Sequence, residues 1–408
     1  MRKKIEKNRR PRKRRISLEE EIPQKRKKRI IYEDENSQKS KNPIKRFFIK
    51  IIIFFILITI IVSSCFLAFK GYVFKKLVTE MFNNSPSVIY DANKNIIAEI
   101  GSERIRTNAS FSDIPTNLVN AYVSIEDQRY YSHYGVDLKR TGAAILSYIF
   151  NKGSSSFGGS TITQQLVKNL TGDDEDTAKR KIKEWFYAVV LNFSFSKEEI
   201  LEAYLNIIYT GPSIYGVKEA AIYYFDKDIK DLSLEECAYL AGLNNSPNSY
   251  NPFSGKDNAE KITKRTKTVL SKMLELEYIS EDNFNDAIKQ LNSGLNFKKG
   301  ETQKSYTVNS YHSDAVINEV ISDLQKKYKI SKDFATNFYS LAGVSIYSTV
   351  NSDVQSKLEK EFADNKYILT SSNGTDSSQS AMVIIDINSG YVIGCCRWIR
   401  NKKIIKNI

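Results

Sequence analysis

Hydrophobic and polar positions change their periodicity several times along the chain, and each change predicts an element. From Ile51 to Phe69 runs IIIFFILITIIVSSCFLAF, nineteen residues without a charge, extended backwards across Lys50 by Phe47, Phe48 and Ile49. At a helical rise of about 1.5 Å this run reaches roughly 28 Å, close to the hydrocarbon thickness of a bilayer. It is longer than the apolar part of a cleavable signal and leads into LAFKGYVFKK, not into a small-residue cleavage site. The pattern therefore predicts a transmembrane helix over 47–69, with a buried core helix as the alternative. From Ser87, VIYDANKNIIAEI alternates around Asn-Lys-Asn and predicts a short hairpin.

Beyond Pro115 the period becomes helical. Leu118, Tyr122, Val123 and Ile125 fall on or near one face, and LKRTGAAILSYIF, TITQQLVKNL, AKRKIKEWFYAVVLNF, KEEILEAYLNIIY, GVKEAAIYYF and SLEECAYLAGL repeat apolar residues at three and four. KGSSSFGGS, TGDDEDT and SPNSYNPFSG separate them as loops. Residues 257–292 predict two more helices, and from Ser305 helices mix with strands at GVSIYSTV and SAMVIIDI.

Composition narrows the class. With 408 residues, 41% of them hydrophobic and 12% aromatic, the chain has material for one or two cores. That excludes a wholly disordered, a collagen-like or a small disulfide-stapled protein. The net charge of +14 first suggests a polyanion partner. Its distribution says otherwise: residues 1–50 hold 20 basic and 7 acidic residues, and the remainder is nearly balanced. A basic, Pro-broken tail beside an apolar span predicts a disordered cytoplasmic segment near anionic headgroups, with the rest of the chain outside. Nucleic acid is the rival partner and is set aside. Cys65 lies in the span, Cys237 stands alone, and Cys395 and Cys396 are neighbours, so no disulfide framework is implied. His133 and His312 are the only histidines, which argues against a histidine-rich zinc site.

Four segments hold candidate chemistry: EDQRYYSHYGVD (126–137), GGSTITQQLVKN (158–169), RKIKEW (180–185) and YLNIIYTGPSIYGVKEAA (204–221). Singly, each has an ordinary structural reading. Glu126 fits a solvated acid at a helix end, Gly158 to Thr161 a helix cap, and Arg180 with Glu184 a surface pair one turn apart.

Together, and in this order, they resemble the peptidoglycan glycosyltransferase domain, glycosyltransferase family 51, of class A penicillin-binding proteins. A fifth block, LEECAYLAGLNNSPNSYNP, also matches, and the resemblance covers about residues 86–290. It implies a mainly α, lysozyme-like helical domain after a single transmembrane helix, followed by a mixed α/β linker and a partial transpeptidase start. The expected organisation is a tail over 1–46, the membrane helix over 47–69, the glycosyltransferase domain over 70–290, a linker over 291–380 and the transpeptidase start with a basic end over 381–408.

The resemblance implies polymerisation of a lipid-linked disaccharide, lipid II, into β-1,4 glycan, with inversion at the donor carbon and release of a lipid diphosphate. Glu126 is carried over as general base toward the acceptor 4-hydroxyl. Glu184, catalytic in the same sense, shares a helical face with Lys181 and would orient that cation or hold a magnesium or manganese ion at the diphosphate. Lys168, Arg180 and Lys181 are the expected phosphate contacts. Gly159 allows close approach, and Ser160, Thr161, Gln164 and Gln165 offer hydroxyl and amide partners. Asp127, Asn206, Tyr209 and Gly211 complete the expected substrate-binding set. His133 belongs to it as a structural or hydrogen-bonding histidine, not as a catalyst. Tyr130 stands where the family often has Phe, and the acidic run Asp173 to Asp176 where many members are basic. Partners are the lipid precursor, the growing strand, the membrane and proteins of the cell-wall machinery.

A transpeptidase needs S-x-x-K and K-T-G elements. The S-x-x-K at Ser194 to Lys197 falls inside the helical region and reads as coincidence, and K-T-G does not occur. The chain is therefore expected to be monofunctional, truncated or frameshifted near residue 396. Rival readings are a lytic glycan-cleaving enzyme and a non-catalytic remnant with unpaired strand edges near Val344 and Val383.

Overall fold

A computed structural model describes residues 43–83, 85–100, 108–150, 159–175, 177–255, 257–301, 310–363 and 380–398. The basic tail, Gly158 with most of its loop, Asp176 and the last ten residues lie outside the described residues. Two compact units divide the chain, 1–62 and 63–408.

The apolar run forms part of helix α1, Pro43–Phe82. Within the first unit its large side chains face outward, Phe54 60% and Phe55 62% exposed, as lipid-facing residues would be. Among the described residues it is the one helix long and apolar enough to cross a membrane. The helix outlasts the charge-free run by thirteen residues because Phe74, Leu77, Val78 and Met81 repeat at three and four and are fully buried in the second unit. Phe74 stacks on Tyr187 with ring centroids 4.0 Å apart. Each such burial contributes about 1.5–3 kcal/mol, so this end of α1 is a core element, and Phe74→Ala should cost about 3–5 kcal/mol.

The second unit is mainly α. Its helices are α2 Thr116–Glu126, α3 Leu138–Phe150, α4 Ile162–Thr171, α5 Ala178–Ser194, α6 Lys197–Ile207, α7 Val217–Phe225, α8 Leu234–Leu243, α9 Ala259–Glu275, α10 Glu281–Ser293, α11 Tyr311–Tyr328, α12 Lys332–Leu341 and α13 Ser352–Ala363. α8 is apolar almost all round and sits at the centre, packed by α2, α9 and α10. Its one deeply buried acid, Glu236, is neutralised by Lys227 at 2.8 Å and closes a capping box with Ser233. α4 lies against α5, α6 and α12.

The predicted hairpin forms as β1 Ser87–Tyr90 and β2 Ile96–Ile100, but its sheet has a third strand. β5, Ser345–Tyr347, runs parallel to β1, so the linker strand near Val344 is paired along one side and forms an edge of this sheet. The linker also braces the end of α4. Ser331 Oγ donates to Thr171 O at 2.6 Å, and Asn337 Nδ2 donates to Asn169 O and Leu170 O, filling carbonyls that a helix C-terminus leaves unpaired. Strands β3 Tyr209–Gly211 and β4 Ile214–Tyr215 form a small ribbon after α6. Strands β6 Ser380–Ile385 and β7 Val392–Trp398 form a separate hairpin, and Gln355 of α13 bonds both N–H and C=O of Cys395 on β7. β6 pairs on one side with β7, while Val383 and Ile385 remain exposed.

Candidate active site

α2 ends on Glu126, and Asp127 leaves helical geometry at φ −153°, which puts two successive carboxylates in different surroundings. Asp127 is fully buried. Its oxygens accept from His133 Nε2 at 3.0 Å, and Oδ2 accepts from Ile162 N at 3.0 Å, at the start of α4. An anion is well placed at a helix N-terminus. His133 Nδ1 accepts from Gly135 N, so the ring bridges two backbone segments. Gly135 has φ +89°, and a Cβ there would lie 2.3 Å from Ala188 O, so only glycine fits this turn. Asp127 and His133, expected to bind substrate, thus spend their polar atoms inside the protein.

Thr161 and Gln164 are buried as well. Thr161 caps α4: its Oγ1 donates to Gly135 O at 2.6 Å and accepts from Gln164 N, while Gln164 Oε1 accepts from Thr161 N. The ordinary structural reading of this motif is what the geometry gives. Beyond the cap, the motif reaches two acids through Gln164 and Gln165, which hold one carboxylate each. Gln164 Nε2 donates to Glu184 Oε1 at 2.9 Å, and Gln165 Nε2 donates to Glu126 Oε2 at 2.8 Å.

Glu184, 5% exposed, is also bound by Lys181 Nζ at 2.5 Å and Arg180 Nη1 at 2.6 Å. Lys181 Nζ donates in turn to Ser160 Oγ at 2.7 Å. Arg180 Nε donates to the carbonyl of Glu175, in the acidic loop, and Asp173 pairs with Lys183 at 3.3 Å. Lys168 is exposed, has no ion pair among the described residues, and lines a hollow with Arg180, Lys183 and Glu184. These donors do not suit a resident divalent cation: both Glu184 oxygens are taken, by two cations and an amide. Among the described residues no cluster of three His, Cys, Asp or Glu is placed to hold an ion.

Gly159 lies half-buried beside Ser160. Asn206 and Gly211 are expected to line the cleft, and the structure puts both inside. Asn206 Oδ1 and Nδ2 bond the N–H and C=O of Ala109, each at 2.9 Å. A Cβ on Gly211 would meet the Tyr224 hydroxyl at 2.5 Å. Tyr209, unlike Asn206 and Gly211, is exposed, its hydroxyl 3.2 Å from Asn248 Oδ1.

Sequence reasoning missed several groups. Arg140 Nη1 donates to the Glu126 carbonyl. Tyr204 and Asn244 bond the far side of the Gln165 amide. The Tyr204 hydroxyl is held protonated by burial and by the nearby Glu126 charge. Lys197 donates to His133 O at 2.8 Å over the Tyr130 ring, and burial lowers it to about 8, with Asp127 opposing. Tyr204 and Asn244 had a signal, since each lies in a matching block, YLNIIYTGPSIYGVKEAA and LEECAYLAGLNNSPNSYNP, whereas Arg140 and Lys197 stood only in segments read as helix or as a chance S-x-x-K.

The second unit is thus a helical domain built around two glutamates, one amide-held and one locked by cations. Residues 93–274 match the Transglycosylase family model, and this part of the chain belongs to that family. Penicillin-binding protein 1A of Clostridium botulinum (strain Langeland) is 37% identical over 340 residues, 80% of this chain and 41% of that protein. Penicillin-binding protein 1A of Clostridium perfringens (strain 13) is 38% identical over 323 residues, covering 76% and 47%. Penicillin-binding protein 1A/1B of Bacillus subtilis is 36% identical over 307 residues, covering 75% and 32%. The chain spans less than half the length of these relatives.

Proposed function

We propose that this chain is a membrane-anchored peptidoglycan glycosyltransferase that polymerises lipid II. The observation that carries the reading is the pair of neighbouring amides, Gln164 and Gln165, holding two glutamates of opposite electrostatic character. Glu126, half-buried and free of any cation on its carboxylate among the described residues, has a lone pair for a hydroxyl proton. It takes the proton of the acceptor 4-hydroxyl as that oxygen bonds the donor anomeric carbon. The bond from that carbon to the diphosphate breaks, with inversion, and the lipid diphosphate leaves as an anion. Lys168, Arg180, Lys181 and Lys183 would meet that anion, so side-chain cations and not a metal neutralise it. Of the expected binding residues, Ser160 and Tyr209 keep accessible hydroxyls for sugar or phosphate oxygens, while Asp127, His133, Thr161 and Asn206 hold the backbone that positions them.

α1 anchors the domain, with the basic tail on the cytoplasmic side by its charge. Lipid II, the growing strand and proteins of the wall-building machinery would be its partners. The test is to place the full chain in vesicles and supply lipid II, then finished cell wall. Strands growing from lipid II, and lost in Glu126→Gln, support the reading. Fragments released from finished wall, with no polymer from lipid II, would replace it with a lytic enzyme.

A further inference from the structure

A glutamine amide presents either its N–H₂ or its C=O, two ends with opposite effects on a neighbouring carboxylate. Which end faces Glu126 is decided on the far side of Gln165. There Oε1 accepts from the Tyr204 hydroxyl at 3.0 Å and from Asn244 Nδ2 at 3.5 Å, while Asn244 Nδ2 also donates to the Tyr204 oxygen at 3.0 Å. A tyrosine hydroxyl has one proton. Because Asn244 brings a donor to that oxygen, the proton points at Gln165, whose carbonyl end is thereby held away from Glu126. The bonds run one way: Asn244 N–H to Tyr204 O–H, to the Gln165 carbonyl, and from the Gln165 N–H to Glu126. Asn244 is fixed in turn by its place at the end of the buried helix α8.

We propose that Asn244 is a positioning residue that, through Tyr204, fixes the Gln165 amide so that it donates to Glu126 and favours the ionised base. This rests on the reading of Glu126 as the base, but the relay itself is a statement about hydrogen-bond direction. Other groups face Glu126 too: Tyr122 from α2, Tyr204 from α6, Asp127 beside it, and Arg140 from α3, which holds its carbonyl. Of these, only the Tyr204 hydroxyl is bonded to Asn244, which makes it the relay between Asn244 and Gln165.

Asn244→Asp keeps the shape and replaces the donor with an acceptor. The Tyr204 proton then turns to the introduced carboxylate, Gln165 loses its donor and reverses, and its carbonyl faces Glu126. The experiment follows the Glu126 carboxyl by ¹³C NMR in the full detergent-solubilised chain labelled at glutamate, with Glu126→Gln assigning the signal. The titration midpoint should rise on the order of one pH unit in Asn244→Asp, less in Tyr204→Phe, and less still in Asn244→Ala. In parallel, the acid limb of kcat/KM on lipid II should move by the same amount, with kcat down about tenfold at neutral pH and KM within about twofold. A midpoint unmoved in Tyr204→Phe and Asn244→Ala, at unchanged melting temperature, overturns the relay, because a rise confined to Asn244→Asp follows from the introduced negative charge alone. A midpoint that moves in Tyr204→Phe or Asn244→Ala while the rate profile stays put upholds the relay and overturns Glu126 as base.

Discussion

Glu126 and Glu184 are held by adjacent residues of one helix, yet their surroundings have little in common. Glu184 is 5% exposed and its two oxygens take two cations and an amide. Glu126 is half-buried and takes one neutral amide on its carboxylate. A carboxylate whose lone pairs are saturated by cations is a poor proton acceptor and a good organiser; one held by a single neutral donor keeps the capacity to take a proton. The sharpest way to break this contrast is to neutralise each in turn. Glu126→Gln should cut lipid II polymerisation by on the order of 10²- to 10⁴-fold while leaving the unfolding midpoint nearly unchanged. Glu184→Ala leaves Arg180 and Lys181 close together without their anion. It should lose about 3 kcal/mol of stability, read by thermal or denaturant unfolding, alongside its loss of rate. If Glu126→Gln proved the less stable of the two, the assignment of roles would be reversed.

The cations sharpen the comparison further. Arg180 and Lys181 are partly spent on Glu184, whereas Lys168 is exposed and carries no ion pair among the described residues. A charge-assisted bond to phosphate is worth about 1.5–3 kcal/mol. Lys168→Ala should therefore raise KM for lipid II about tenfold or more with a smaller change in kcat, and the residual activity should be less sensitive to salt. An equal fall in kcat would instead place Lys168 on the transition state.

What can be read along the chain is what lies within a few residues. The boxes Thr161 to Gln164, Ser196 to Glu199 and Ser233 to Glu236 announce helix starts, and the spacing of Lys181 and Glu184 gives a shared face, because both patterns are local. The charge-free run predicts an end of α1 at Phe69 because Lys70 follows, although the apolar period continues to Met81. Long-range partners stay hidden. Nothing along the chain pairs Ser345–Tyr347 with Val88–Tyr90, or the Asn206 amide with Ala109. Asn206 reads as a polar cleft residue until its two bonds are seen to be spent on backbone. The hydroxyl and amides of Tyr204, Asn244 and Gln165 come from three helices, and only packing decides which of them meet.

Two smaller effects test the edges of the site. Asp173, in the acidic loop, holds Lys183 at 3.3 Å beside Lys168 and Arg180. An exposed pair of this kind is worth about 0–1 kcal/mol, so Asp173→Ala should free Lys183 and lower KM by about twofold. Beneath Glu126, Lys197 faces buried Asp127 across His133, and burial lowers its ammonium from the ordinary 10.5 to about 8. Between those values the unfolded chain keeps the proton that the folded chain has released. Stability therefore rises with pH across this window, because the buried charge that costs free energy below pH 8 has been discharged. Since the group is only half-buried, the gain is under about 1 kcal/mol after solvent screening. Lys197→Met should remove this slope, measured as the difference in unfolding midpoint between about pH 7.5 and about pH 10. If the slope survives in the variant, Lys197 is charged throughout and Asp127, not burial, governs it.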